Sequence, residues 1–141
     1  MNDERTRGYS ILALLLAAAC SSPTEPSSGP LALGWWTASP SGPALRVEEP
    51  ESTLFLGCYY AVLPRPILDK SGRFEVSGSI RGGPGPGNGS GAPATFTGQV
   101  KGSVLTITVT SDFNLFGGPT HTYELRFDGA TPKNPIPAPC V

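Results

Sequence analysis

The residues whose chemistry could serve catalysis are few in this chain, and their spacing favours none of the common machineries. His121 is the single histidine, with Asp112, Asp128 and several serines near it in sequence. A Ser–His–Asp relay is defined by geometry, but no Gly-x-Ser-x-Gly elbow accompanies these residues. Gly117-Gly118-Pro119 beside His121 predict a solvated turn at the foot of a strand. Glu48, Glu49 and Glu51 surround Pro50, and paired carboxylates can hydrolyse glycosides. Neighbouring acids in a turn point apart into water, however, and do not gain the raised pKa that an acid catalyst needs. Gly85, Gly87, Gly89 and Gly91 suggest a phosphate cradle until Pro84, Pro86 and Pro93 are noticed. Prolines remove the donors such a cradle uses, and the segment that follows is a strand rather than a helix whose N-terminus could face a phosphate. His121 with the distant Cys58 and Cys140 makes a poor zinc set. The expectation is a non-enzymatic protein with no catalytic residues, no metal and no cofactor.

Composition narrows the fold. The net charge is -1, with acids and bases scattered along the chain. There is no basic face to displace counterions from a phosphate backbone, so nucleic acid is not an expected partner. Eighteen glycines and sixteen prolines disfavour long helices, since both residues cost helix free energy, and favour turn-dense β structure.

The start of the chain carries its clearest signal. Arg5 and Arg7 precede an uninterrupted apolar run, Ile11 to Ala19, which ends at Cys20. Crossing a bilayer as a helix takes about 20 apolar residues, so this shorter run reads as the apolar region of a cleaved leader. Ala17-Ala18-Ala19-Cys20 resembles the lipobox of bacterial lipoproteins, with Ala where Leu is commonest at the first position. Asp3 and Glu4 offset the two arginines, a further departure from the class. The resemblance covers only about the first twenty residues. It implies cleavage before Cys20, a diacylglyceryl thioether on its sulfur, acylation of its new amine, and a membrane partner reached through that lipid. Ser21 at the next position implies the outer membrane where the host has two, and a cell-envelope location in either case.

With Cys20 taken by lipid, Cys58 and Cys140 remain as an even pair. In an oxidising compartment such a pair is expected to bond. In the chain-entropy model, closing a loop of this length contributes about 4–5 kcal/mol. Ser21 to Pro30 is rich in Ser and Pro and lacks apolar periodicity, the composition of a flexible tether. The expected organisation is a leader over 1–19, a lipidated cysteine and tether over 20–33, and one domain over 34–141.

Beyond the tether the pattern is of short strands and turns. Leu45 and Val47 mark one strand. Thr53 to Val62 reads as a single central strand with two apolar faces. Asp69-Lys70-Ser71-Gly72 is a turn, and Phe74, Val76, Gly78 and Ile80 alternate with polar residues. After a glycine-rich loop from Gly82 to Pro93, alternation resumes at Phe96, Gly98 and Val100. Gly102-Ser103 suits a two-residue hairpin turn. Leu105, Ile107 and Val109 alternate with threonines, and Tyr123, Leu125 and Phe127 make the last strand. The expected class is all-β: a small antiparallel barrel or a sandwich of six to seven strands with one disulfide. A barrel is favoured because closure leaves no edges to protect.

The aromatic side chains carry what functional signal remains. Trp35 and Trp36 are adjacent, as are Tyr59 and Tyr60, so in strands each pair splits between two faces. Trp36, Phe55 and Tyr59 are the candidate contact aromatics, on the condition that they share an outer face. Phe113, Leu115 and Phe116 form either a plug over one end or a second contact surface. Two functions follow. One is a lipid-anchored binding or structural module that meets an envelope protein or a glycan. The other is a carrier of a small apolar ligand with a lipocalin-like barrel, against which stands the number of large side chains expected inside.

Overall fold

The structure, a computed structural model, describes residues 28–82, 91–115 and 118–137, with the backbone alone for 113–115. The leader, Cys20, the first part of the tether, the centre of the glycine-rich loop, Phe116 and Cys140 lie outside the described residues. All regular structure among the described residues is β. The strands are β1 (Gly29–Pro30), β2 (Gly34–Thr37), β3 (Ala44–Val47), β4 (Glu51–Leu56), β5 (Tyr59–Pro64), β6 (Ile67–Leu68), β7 (Arg73–Gly82), β8 (Ala92–Lys101), β9 (Val104–Leu115) and β10 (Gly118–Gly129). Eight of them close into an antiparallel barrel in the order β2-β3-β4-β5-β7-β8-β9-β10, with β10 pairing back to β2, while β1 and β6 form a separate two-stranded sheet. The choice between barrel and sandwich is thus resolved, and the expected six to seven strands become eight plus two.

The main source of the undercount is the segment read as one central strand. Gly57, at φ 83°, and Cys58 turn the chain back on itself, and β4 pairs with β5 through Phe55–Tyr60 and Leu56–Tyr59. A two-residue turn shifts the phase of the alternation. Leu54 and Leu56 point inward before it, Ala61 and Leu63 after it. Two one-sided strands in succession mimic a single strand that is apolar on both faces. The last hairpin is also longer than expected, because β9 runs to Leu115 and β10 begins at Gly118. The segment from Asp112 to Pro119 is therefore mostly strand.

Inward alternation continues around the barrel. Leu45, Leu54, Phe96, Leu105, Ile107 and Leu125 are fully buried and fill its middle. An eight-stranded barrel is only wide enough inside for side chains or one small ligand. Two glycines make room for the largest of these side chains. Gly98 faces Phe74 across β7 and β8, and a Cβ at Gly98 would lie 2.5 Å from two atoms of the Phe74 ring. At Gly78 a Cβ would collide with the Val62 carbonyl oxygen and approach Cε2 of Phe96 to 2.9 Å. Glycine at both places lets an aromatic ring lie flat on the neighbouring backbone.

One end of the barrel is sealed by the chain that enters it. Leu31 is 1% exposed; its amide donates to the Pro66 carbonyl (2.8 Å), and its carbonyl accepts from Arg65 Nε (2.9 Å). Trp36 Nε1 donates to the Ala32 carbonyl (3.3 Å). Leu31 and Leu68 thus cap Trp36, Phe74, Val100 and Phe127 in one apolar cluster. The flexible tether expected to extend to residue 33 ends sooner, since Gly29 and Pro30 already pair with Leu68 and Ile67. The turn at Asp69 holds this end in place. The Asp69 carboxylate accepts from the Ser71 amide and hydroxyl and from the Arg73 amide, and the Ser71 hydroxyl leads the contacts that keep it below the usual carboxylate range.

Substitution at the two inward glycines should separate backbone from side-chain obstruction. Gly78→Ala is expected to lower the unfolding free energy by about 2–3 kcal/mol, because a backbone carbonyl cannot move aside. Gly98→Ala should cost a similar amount alone but much less in a Phe74→Leu background. Urea denaturation of the four variants checks both; an equal Gly98→Ala penalty in the two backgrounds would contradict the packing described.

Candidate ligand cavity

The barrel is not symmetric about its closing seam. β2 has four residues and β10 has twelve, and their pairing runs only from Arg126–Thr37 to Gly129–Trp35, with a bulge after Phe127. The upper part of β10, with His121 and Tyr123, therefore has β9 on one side and, among the described residues, no strand on the other. The β2–β3 connection (38–43), the Gly57-Cys58 turn and the C-terminal segment fill this gap incompletely. They leave a cavity of about 570 Å³ lined by Ser41, Gly42, Pro43, Leu56, Gly57, His121, Tyr123, Pro135, Ile136 and Pro137. It lies at the end opposite Leu31 and is open to solvent.

A polar clamp on the outer face of the seam positions the tail that walls it. Thr37 is completely buried, although its side chain points out of the barrel. Its hydroxyl donates to Asp128 Oδ2 (2.5 Å) and accepts from Asn134 Nδ2 (2.9 Å). Asp128 Oδ2 also accepts from the Lys133 amide (2.8 Å). These bonds lay residues 130–134 back along β2 and deliver Pro135-Ile136-Pro137 to the cavity. Proline fixes its own φ, so the wall they form is stiff.

The polar groups at the cavity are sparse. His121 Nε2 lies 3.0 Å from the Gly118 carbonyl; a carbonyl only accepts, so this nitrogen carries the proton. The His121 and Tyr123 rings are near-parallel, 6.4 Å apart. Burial raises the Tyr123 phenol above the ordinary tyrosine range, so it stays a neutral donor. His121 is therefore not in the solvated turn expected for it. It is a half-buried residue of β10 that helps line an apolar space.

The three candidate contact aromatics do not share a face. Trp36 is inside, 3% exposed, and packs on Phe127 with ring centroids 4.9 Å apart. Tyr59 turns inward against the core, opposite Leu56. Phe55 alone is outward, and its partner there is Trp35, stacked at 5.8 Å, with the Arg46 guanidinium 5.6 Å from the Trp35 ring. Tyr60 lies beside Phe55 on the same outer face. The outer patch thus exists with different members, and counting register from a turn at Gly57-Cys58 would have identified Tyr60 among them. The clustered acids are surface ion-pair partners: Glu48 with Arg46 (2.7 Å) and Glu49 with Arg65 (2.5 Å). Cys58 lies in the turn between β4 and β5, whereas Cys20 and Cys140 lie outside the described residues.

Neither a family model, a curated protein nor a solved structure matches this chain.

The Tyr123 phenol gives a direct test of this cavity wall. Its folded pKa lies above the unfolded one. The stability this contributes is complete below the ordinary tyrosine range and is lost as pH rises through the raised value. Spectrophotometric titration of the folded chain should find Tyr123 ionising above the ordinary tyrosine range. Tyr123→Phe should remove both that step and the associated alkaline loss of stability; an unchanged alkaline limb would contradict the burial.

Proposed function

We propose that this chain is a lipid-anchored cell-envelope protein whose barrel carries a small apolar ligand in the open end-cavity. The observation that carries the reading is the cavity itself. It falls in the ~300–1,000 Å³ range of small-molecule sites, is walled by Pro43, Leu56, Pro135, Ile136 and Pro137, and has His121 and Tyr123 as its polar side. A closed eight-stranded antiparallel barrel is also the architecture with which lipocalins hold one small ligand. Here the middle of the barrel is filled by Phe96, Leu105, Ile107 and Leu125, so the ligand is placed at the mouth and not in the interior.

Attachment to the envelope rests on the leader and the Ala17-Ala18-Ala19-Cys20 lipobox. The fold is consistent with an anchor outside the barrel. Its outward residues include Glu75, Thr97, Thr106, Thr110, Glu124 and Arg126, all exposed. That is the inverse of a membrane-spanning barrel, which turns its apolar residues to lipid. The chain leads back toward Cys20 from the sealed end, where Leu33 and Ile67 expose 55% and 59% of their surface. An anchor there directs the open cavity away from the bilayer.

The same reading pairs Cys58 with Cys140. Pro137 lines the cavity beside Gly57, and the three residues from Pro137 to Cys140 span at most about 10 Å, enough to reach the neighbouring Cys58. A second reading, a module that docks an envelope protein or a glycan, rests on the outer Trp35, Phe55 and Arg46 group.

Intact-mass analysis of the native chain extracted from membranes, followed by solvent extraction, tests the proposal. The expected species begins at Cys20, bears acyl chains, has no reactive thiol, and releases an apolar small molecule on extraction. A species still carrying Met1 and no fatty acid would contradict the anchor. An extract empty of bound small molecules would contradict the carrier.

A further inference from the structure

We propose that the cavity selects neutral apolar ligands bearing one hydrogen-bond acceptor, and rejects acids of the same length; this rests on the carrier reading above. The argument is electrostatic. None of the described residues lining the cavity is Lys, Arg, Asp or Glu. The Asp128 carboxylate serves Thr37 and the Lys133 amide on the outer face. A carboxylate held at the Tyr123 hydroxyl, inside the mouth, would exchange hydration for proline, leucine and isoleucine side chains with no Lys or Arg among the described lining residues. Burying a charge unpaired is far costlier than burying a neutral polar group.

The donor side of the site is equally specific. The Tyr123 hydroxyl makes no hydrogen bond to any described residue, although Tyr123 lines the cavity. Its proton is retained because burial raises its pKa. A carbonyl or ether oxygen on the ligand satisfies it without bringing in charge. His121 adds no second donor from Nε2, whose proton is directed to the Gly118 carbonyl. The ligand class is therefore an ester, ketone, quinone or ether with an apolar body, in contrast to a free fatty acid or a phosphorylated lipid.

Native mass spectrometry of the full mature chain with methyl laurate, laurate and dodecane at about pH 8 tests this. The ester is expected to bind at least about a hundredfold more tightly than the acid, the scale set by an unpaired buried charge. It should also bind about three- to tenfold more tightly than the alkane, the scale of one net hydrogen bond. In Tyr123→Phe the ester's advantage over the alkane should vanish, while its advantage over the acid persists. Equal binding of acid and ester would overturn the proposed selectivity while leaving the carrier reading intact. An ester–alkane ratio unchanged by Tyr123→Phe would overturn the role of the hydroxyl. Failure of all three probes to bind would overturn the carrier reading itself.

Discussion

Barrel closure between a short strand and a long one is the constraint from which the other features follow. Eight strands close only when the last finds the first, and here the first offers four residues to a partner of twelve. Pairing is confined to the sealed end, where Trp36 packs on Phe127 and the β10 bulge accommodates the mismatch. At the other end the long strand has no β2 partner among the described residues, and a sheet edge must be covered, bent away or left as a liability. The chain covers it with its own C-terminal segment, held by the Thr37, Asp128 and Asn134 clamp. A loop and a proline-rich tail cannot pack as closely as a strand would. The cavity is what remains.

The two ends of the molecule consequently have different physical character. At the sealed end, Leu31 and Leu68 complete the core, and hydrogen bonds from Arg65 and to Pro66 fix the crossing segment. The interior between the ends is close-packed because Gly78 and Gly98 yield their side-chain volume to Phe96 and Phe74. At the open end Pro43, Pro135 and Pro137 stiffen walls completed by Leu56, His121, Tyr123 and Ile136, and the space between them is open in the chain by itself. Preformed apolar space is where a ligand binds without first reorganising the protein.

Much of the fold was legible in the sequence. Strict alternation in β7, β8, β9 and β10 gave the inward residues, and Asp69 to Gly72 and Gly102-Ser103 gave two of the turns. The hairpin at Gly57-Cys58 was not legible, because its phase shift makes two one-sided strands read as one two-sided strand. Tyr59, set on the face of Phe55 by that register, was consequently misplaced, and Trp35 was separately passed over for Trp36. The cavity was hidden for a different reason. It depends on the length difference between β2 and β10 and on a clamp joining Thr37 to residues 91 and 97 positions away. Local periodicity carries no information about contacts at that separation. His121 was misplaced along with it, since a glycine-proline neighbourhood reads as a turn whether or not a strand resumes through it.

The most direct test of the central claim is to locate a small neutral apolar probe by intermolecular NOEs to assigned methyl and aromatic protons. A preformed end-cavity predicts contacts to Leu56, Tyr123 and Ile136, with none to Leu105, Ile107 or Leu125 in the packed interior. Contacts to the interior leucines, or no contacts at the mouth with saturating probe, would contradict the account.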